Sequence, residues 1–241
     1  MEALLKVREV SKHFGGFTAL AQVSVEIRAG ERFGLIGPNG SGKTTLINCI
    51  SGALQNDSGS IVFDGEEVSA LPAYQRTRRG IARSFQIPRP FTSMSVLENL
   101  VVPLEYVRHR GTLHIADTRA EALEILRTVG LHDKAQTQSN RLTQVELRKL
   151  ELARAMAARP RLLISDESMA GLSGNEVDEV LAILRTLNDS GITIIMIEHI
   201  MQAVMRFSQR VVCLDAGRII CEGTPEQIVR NPEVQRAYLG A

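Results

Sequence analysis

Between the apolar run Arg32–Ile36 and a second apolar stretch, Thr44–Ser51, lies Gly37-Pro38-Asn39-Gly40-Ser41-Gly42-Lys43-Thr44. This segment restricts the fold more than any other part of the chain. Its glycines let successive backbone N–H groups turn toward one point, and the helix expected from Thr44 onward adds its positive end there. A group bound at that point is anionic. Lys43 suits the outer oxygens of a phosphate chain, and the Thr44 hydroxyl suits a Mg²⁺ ion. A glycine turn that happens to precede Lys-Thr is the bland alternative. At average composition the spacing arises by chance in roughly one chain of this length in a hundred. The apolar strand before it and the apolar helix after it lower that chance further. The segment is read as a nucleotide phosphate loop, with Gly37 through Thr45 as the cradle.

A phosphate loop needs a buried sheet behind it. Leu4–Val10 and Val23, Val25 and Ile27 alternate as half-exposed strands. Ser60–Phe63 reads as another, closed by an Asp64-Gly65 turn. From 91 to 158 the pattern becomes helical. Ser95 and Glu98 form a capping box before a helix from Val96 to about Tyr106. Asp117–Val129 has helical apolar spacing, and Thr143 with Glu146 caps a helix to about Ala158. The last third alternates: strand Leu162–Asp166, helix Asn175–Asn188, strand Thr193–Ile197, then Val211–Leu214 and Arg218–Cys221 around Ala216-Gly217. Thr193–Ile197 is rich in β-branched residues, as buried parallel strands are. Thr224-Pro225-Glu226-Gln227 opens a final helix. The expectation is an α/β fold: a P-loop nucleoside-triphosphatase (NTPase) core with an antiparallel β subdomain and an inserted α-helical subdomain. It is read as a single domain over 1–241, with the helical lobe at about 91–158 between core segments 1–90 and 159–241.

Leu162–Asp166 ends in two acids, Asp166 and Glu167. Beside a phosphate loop, a strand-end aspartate holds Mg²⁺ through water. The next carboxylate can orient and deprotonate an attacking water. A solvated acidic turn is the bland alternative.

The order of these features resembles the nucleotide-binding subunit of ATP-binding cassette (ABC) transporters, over essentially the whole chain. Within that family the chain is most similar to the ATPases of branched-chain amino acid uptake. The resemblance rests on Phe14–Leu20 (FGGFTAL), Ser93–Leu100 (SMSVLENL), Met169–Leu172 (MAGL), Ile197-Glu198-His199 and the tail Glu222–Gly240. It implies ATP and Mg²⁺ as ligands, with ATP hydrolysis coupled to transport. Phe14 then stacks on adenine, with Phe17 as a competitor and a core phenylalanine as the bland alternative. Gln86 contacts the metal and the water, His199 hydrogen-bonds the γ-phosphate, and Lys43 and Glu167 complete the catalytic set. Thr44, Gln86 and Asp166 are the metal-side residues.

The family signature, Leu-Ser-Gly-Gly-Gln, is replaced by Leu142-Thr143-Gln144-Val145-Glu146. Thr143 keeps a hydroxyl at the helix start, so it is retained as a contact to a partner's nucleotide. Val145 crowds a place where backbone should approach phosphate. Two readings stay open: a weakened site on the partner, or a capped helix start that works nearly as well. Ser168 stands where the family has proline, and Ser173-Gly174-Asn175 replaces Asn-Pro.

The resemblance further implies a second cassette subunit, identical or different, sandwiching ATP with this one. It implies membrane permease subunits and an external solute-binding protein. The permeases would dock on Ile87–Met94, stiffened by Pro88 and Pro90. The first residues do not read as a signal peptide, and no apolar run approaches the ~18 residues of a membrane span. A peripheral place on the cytoplasmic face of the cell membrane is expected. Three scattered cysteines suit a reducing compartment. A balance of 28 basic and 27 acidic residues argues against a nucleic-acid partner. The function is read as the ATPase of an importer for branched-chain amino acids or related solutes. An exporter or lipid-extracting system is the alternative.

Overall fold

The computed structural model describes residues 3–85, 87–108 and 115–239. β1 (Ala3–Phe14) and β2 (Phe17–Arg28) form a long hairpin turning at Gly15-Gly16. β3 (Arg32–Ile36) runs into the phosphate loop, and α1 (Lys43–Ser51) leaves it. β4 (Ser58–Phe63), β5 (Glu66–Glu67), α2 (Ala73–Arg78) and β6 (Ile81–Ser84) follow. Three helices come next: α3 (Val96–Arg108), α4 (Ile115–Thr128) and α5 (Gln144–Met156). The chain then alternates through β7 (Leu162–Asp166), α6 (Gly174–Asp189), β8 (Thr193–Ile197), α7 (Met201–Phe207) and β9 (Arg210–Asp215). It ends with β10 (Arg218–Gly223), α8 (Pro225–Arg230) and α9 (Pro232–Leu239).

Two sheets result. One is antiparallel, in the order β2-β1-β4-β5. The other runs β10-β9-β3-β8-β7-β6 and is parallel except for β9–β10. The alternation of β7 and β8 shows how the layers stack. Leu162, Ile164, Ile195 and Ile197 face one core with α1 and the antiparallel sheet. Leu163, Ile194 and Met196 face the other, with the helices. A strand buried on both faces reads as a continuous apolar run, which is what Thr193–Ile197 is. β6 and β7 pair directly, so the chain leaves the sheet after β6, builds α3 to α5, and returns beside the strand it left.

The capping boxes form. Ser95 N–H donates to Glu98 Oε2 at 2.8 Å, and Glu98 N–H donates to Ser95 Oγ at 3.2 Å. Thr143–Glu146 and Thr224–Gln227 do the same. Among the described residues, no helix is long and apolar enough to cross a membrane. Cys49 and Cys213 are fully buried, and burial pushes their thiols up to about 11 and about 12.

Five elements, α2, β5, β6, α7 and α9, had no expectation from sequence. α2 has a clear task. Its Arg76 is 1% exposed, and its guanidinium donates to the carbonyls of Ile50 (2.9 Å), Leu71 (2.9 Å), Ser69 (2.8 Å) and Cys49. Two of these are end carbonyls of α1, which have no partner within the helix itself. Arg76 thus closes the helix that carries the phosphate loop. Arg76→Met keeps the volume but orphans four carbonyls. It should lower unfolding stability by at least ~3 kcal/mol in denaturant titration, and an unchanged midpoint would refute this role.

Candidate functional site

The parallel pairing sets the site. β3, β8 and β7 are neighbours running the same way, so their C-terminal ends share one edge of the sheet. β3 delivers the phosphate loop there, β7 delivers Asp166 and Glu167, and β8 is followed by Glu198 and His199. Ligands of open parallel sheets bind at this edge.

Gly37, Gly40 and Gly42 all have positive φ: +151°, +78° and +106°. Space as well as conformation requires glycine at two of them. A Cβ on Gly37 would lie 2.2 Å from Leu214 O, and one on Gly42 would lie 2.7 Å from Ala19 O. Lys43 Nζ donates to Gly37 O at 2.7 Å and to Pro38 O at 3.0 Å. Burial lowers its pKa, opposed by Glu167, Cys213 and Asp166 nearby. Ser41 Oγ is buried without a hydrogen-bond partner among the described residues. A loop of left-handed glycines, a buried lysine and an unmatched hydroxyl fit a polyphosphate.

A cavity of about 250 Å³ gathers Phe14, Phe17, Ala19, Asn39 through Thr45, Glu167 and His199. Phe14 is half exposed, so it is no core phenylalanine, and Lys12 Nζ lies 5.7 Å from its ring centre. Phe17 lines the same cavity and remains a second candidate for a base contact. Glu167 has φ +46°, a left-handed conformation unusual outside glycine and often found at working sites. Its Oε1 lies 2.8 Å from His199 Nε2.

Asp166 takes a different partner. Its Oδ2 accepts from Arg83 Nη2 at 2.5 Å, and Arg83 Nη1 donates to Asn48 Oδ1 at 2.6 Å. Arg83 therefore ties β6, β7 and α1 together at the carboxylate that the sequence assigned to Mg²⁺. One oxygen of Asp166 is held this way, which restrains the carboxylate. Such a restrained carboxylate and the Thr44 hydroxyl are the donor types a hard cation needs beside phosphates.

Thr143 does not join this cavity. It is the N-cap of α5: its Oγ1 accepts from Glu146 N–H at 3.4 Å, and its own N–H donates to Glu146 Oε2 at 2.9 Å. Gln86 lies outside the described residues. Ser168 is buried. Its hydroxyl meets Ser165 Oγ at 2.9 Å and Glu198 Oε1 at 3.5 Å, so it anchors the turn after Glu167. Glu176 accepts from the N–H and hydroxyl of Ser173 at 2.8 and 2.7 Å, closing the N-terminus of α6.

Sequence reasoning missed Arg83, Asn48, Glu198 and Tyr238 as residues of this region. Tyr238 Oη accepts from Gly37 N–H at 2.8 Å. Glu198 is 2% exposed and accepts from Met169 N–H at 2.9 Å. A lone arginine in a short strand and a tyrosine near the chain end carry no spacing signal.

The comparisons with known proteins agree on a family. The model for ABC transporters matches residues 20–170, and one for branched-chain amino acid ATP-binding cassette transporters matches 218–241. The chain is 38% identical to the high-affinity branched-chain amino acid transport ATP-binding protein BraF of Pseudomonas aeruginosa, over 98% of each chain. It is 38% identical to LivG of Escherichia coli, of the same description, over 99% of this chain and 98% of that one. The lipopolysaccharide export system ATP-binding protein LptB of Haemophilus influenzae is 32% identical over 99% and 98%. Among solved structures, the ADP conformation of an ATP-binding cassette of an ABC transporter superposes with a TM-score of 0.90 at 28% identity, covering all of both chains. A dimeric bacterial ABC transporter cassette gives 0.83 at 26%, over 92% of this chain and 98% of that one.

Burial raises the pKa of Glu198 from 4.5 to about 7, against the hydrogen bond from Met169 and with help from the Glu167 charge. The folded state thus holds this proton more tightly than the unfolded chain does. Its contribution is complete below about pH 4.5 and is lost as the pH rises through about 7. The span is on the order of 3 kcal/mol. Glu198→Gln should flatten the stability–pH curve between about pH 5 and pH 8, read by denaturant titration. A curve that falls as steeply as the wild type would show that Glu198 is not the group responsible.

Proposed function

The chain belongs to the ABC transporter family, as an ATP-binding cassette that hydrolyses ATP to power transport, and from that premise we propose that it drives an importer of branched-chain amino acids or related small solutes. The observation carrying this reading is the full-length likeness to BraF and LivG, together with the separate match of residues 218–241.

In this reading the phosphates of ATP enter the loop from Gly37 to Thr45. The backbone N–H groups and the positive end of α1 receive them, and Lys43 takes the outer oxygens. Phe14 faces the base. A Mg²⁺ ion held by Thr44, Gln86 and water on Asp166 would neutralise charge on the phosphate oxygens. Glu167 accepts the proton of the attacking water, and the rigid turn behind it keeps its carboxylate aimed into the cavity. His199, already 2.8 Å from Glu167, hydrogen-bonds the terminal phosphate.

The partners follow from the same premise. A second cassette subunit closes on the nucleotide; a related bacterial cassette has been solved as a dimer. Permease subunits dock on the loop between β6 and α3, where Phe85, Ile87 and Phe91 are exposed. Arg154 of α5 donates to Arg89 O at 2.7 Å and lies 5.2 Å from the Phe91 ring centre, so α5 holds that loop. An external solute-binding protein and a peripheral position at the cytoplasmic face complete the assembly. The likeness to LptB supports a second reading, a lipid exporter. Copurification decides between them: an importer brings permeases and a solute-binding protein, an exporter brings neither a binding protein nor amino-acid-dependent turnover.

We further propose that, where the second cassette is a different chain with the usual signature, the two sites of the dimer are unequal. The N-terminus of α5 serves the partner's nucleotide, and here it carries the carboxylate of Glu146. Burial opposes the charge, but hydrogen bonds from Lys134 and Thr143 hold that carboxyl below the usual range, so it is anionic. An anion there and Val145 beside it both disfavour a phosphate. Replacing Thr143, Gln144 and Val145 by Ser, Gly and Gly should raise the ATPase rate of the assembled complex, and an unchanged rate removes the inequality.

Glu167→Gln should bind ATP normally and hydrolyse it at least ~10-fold more slowly. Near-normal turnover would rule Glu167 out as the base.

A further inference from the structure

The phosphate loop is wedged at its first residue. Gly37 has φ +151°, and a Cβ there would meet Leu214 O at 2.2 Å and Ser41 Oγ at 2.5 Å. Gly37 therefore lies too close to β9 for any side chain, and its N–H needs a partner there. The partner comes from the far end of the chain. Tyr238 on α9, 201 residues away in sequence, accepts that N–H at 2.8 Å. A second bond reaches the same loop from the β9–β10 turn, where Gly217 N–H donates to Ser41 O at 2.9 Å. The loop is thus braced from behind at two points by the C-terminal part of the chain.

We propose that Tyr238 is a positioning residue for nucleotide binding, whose hydroxyl keeps the phosphate loop in its receiving conformation and so lets the C-terminal helix set the affinity of the site. Tyr238 is not among the cavity-lining residues, so it acts through Gly37 and not by touching the ligand. Two fifths of the residue is open to solvent, and it is the hydroxyl that meets Gly37. Burial, opposed by the bond from Gly37, pushes the phenol up to about 12, so it is neutral at ordinary pH and keeps its acceptor lone pairs.

The energetic argument is one of preorganisation. The stretch from Gly37 to Lys43 is held within itself by three glycines at positive φ and by short-range bonds from Ser41 and Lys43. Without the hydroxyl, Gly37 N–H loses its partner and the loop samples other arrangements. Nucleotide must then select the competent fraction, and the apparent dissociation constant rises by the inverse of that fraction. A single neutral hydrogen bond corresponds to roughly a fivefold loss. This gives a task to the segment 218–241, which has its own family model.

The inference rests on nucleotide binding at this loop, so the wild type is measured alongside the variant. Full-length wild type and Tyr238→Phe are titrated with N-methylanthraniloyl-ATP and Mg²⁺ by fluorescence, and the exchange of the Gly37 amide is followed by NMR. The expected result is a dissociation constant raised roughly three- to tenfold with faster exchange at Gly37. The phenyl ring preserves the packing, and a thermal melt checks that the variant is folded. A dissociation constant within twofold of wild type overturns the inference, and a lower melting temperature alone would mark the bond as merely structural. Failure of the wild type itself to bind would instead remove the nucleotide reading and this inference with it.

Discussion

The site exists because β3, β8 and β7 lie side by side and point the same way. Each is short and buried on both faces, and the groups suited to a phosphate or its metal lie at or beyond their C-terminal ends. Their shared direction turns three unrelated loops into one surface: the glycines after Ile36, the carboxylates after Ser165, and the histidine beyond Ile197. A parallel ladder cannot be joined by tight hairpins, so each strand needs a crossover. Those crossovers are the helices that fill the other core. The chemistry at the edge and the helical layer beneath it are therefore two results of one pairing pattern.

The loop itself depends on packing more than on its own sequence. Glycine at 37 and 42 is required by the carbonyls of Leu214 and Ala19, which belong to β9 and β2. Arg76 closes α1 from below, and Tyr238 and Gly217 hold the loop from behind. Arg83 fixes Asp166 through a bond that spans two strands and meets α1 through Asn48. A binding loop with so many left-handed residues would be costly to order from solution. Here the ordering is done by the fold before a ligand arrives.

Much of this was legible in the residues. β3 and β8 matched to the residue, because an uninterrupted apolar run between turn signals has few alternatives. The capping boxes at Ser95, Thr143 and Thr224 fixed three helix starts, because the pairing of hydroxyl with carboxylate or amide is local. The phosphate loop, Glu167, His199 and Phe14 were found and line one cavity. What was missed is what depends on distant partners. β6 looks unremarkable as Ile-Ala-Arg-Ser, and its arginine gains meaning only when Asp166 arrives from 83 positions away. α2 and α7 are too short to show a period. Ser168 was noted only as a departure from the family's proline, and its buried hydroxyl meets Ser165 and Glu198, a contact no local pattern encodes.

Everything at this edge of the sheet turns on the loop, with Lys43 at its mouth, binding the phosphates of ATP. Isothermal titration of the full chain with Mg²⁺-ATP, beside Lys43→Ala, tests it directly. The account predicts one saturable site per chain in the wild type and affinity reduced at least ~10-fold in the variant, since a charge-assisted contact to phosphate is lost. Equal affinity in the two proteins would contradict it.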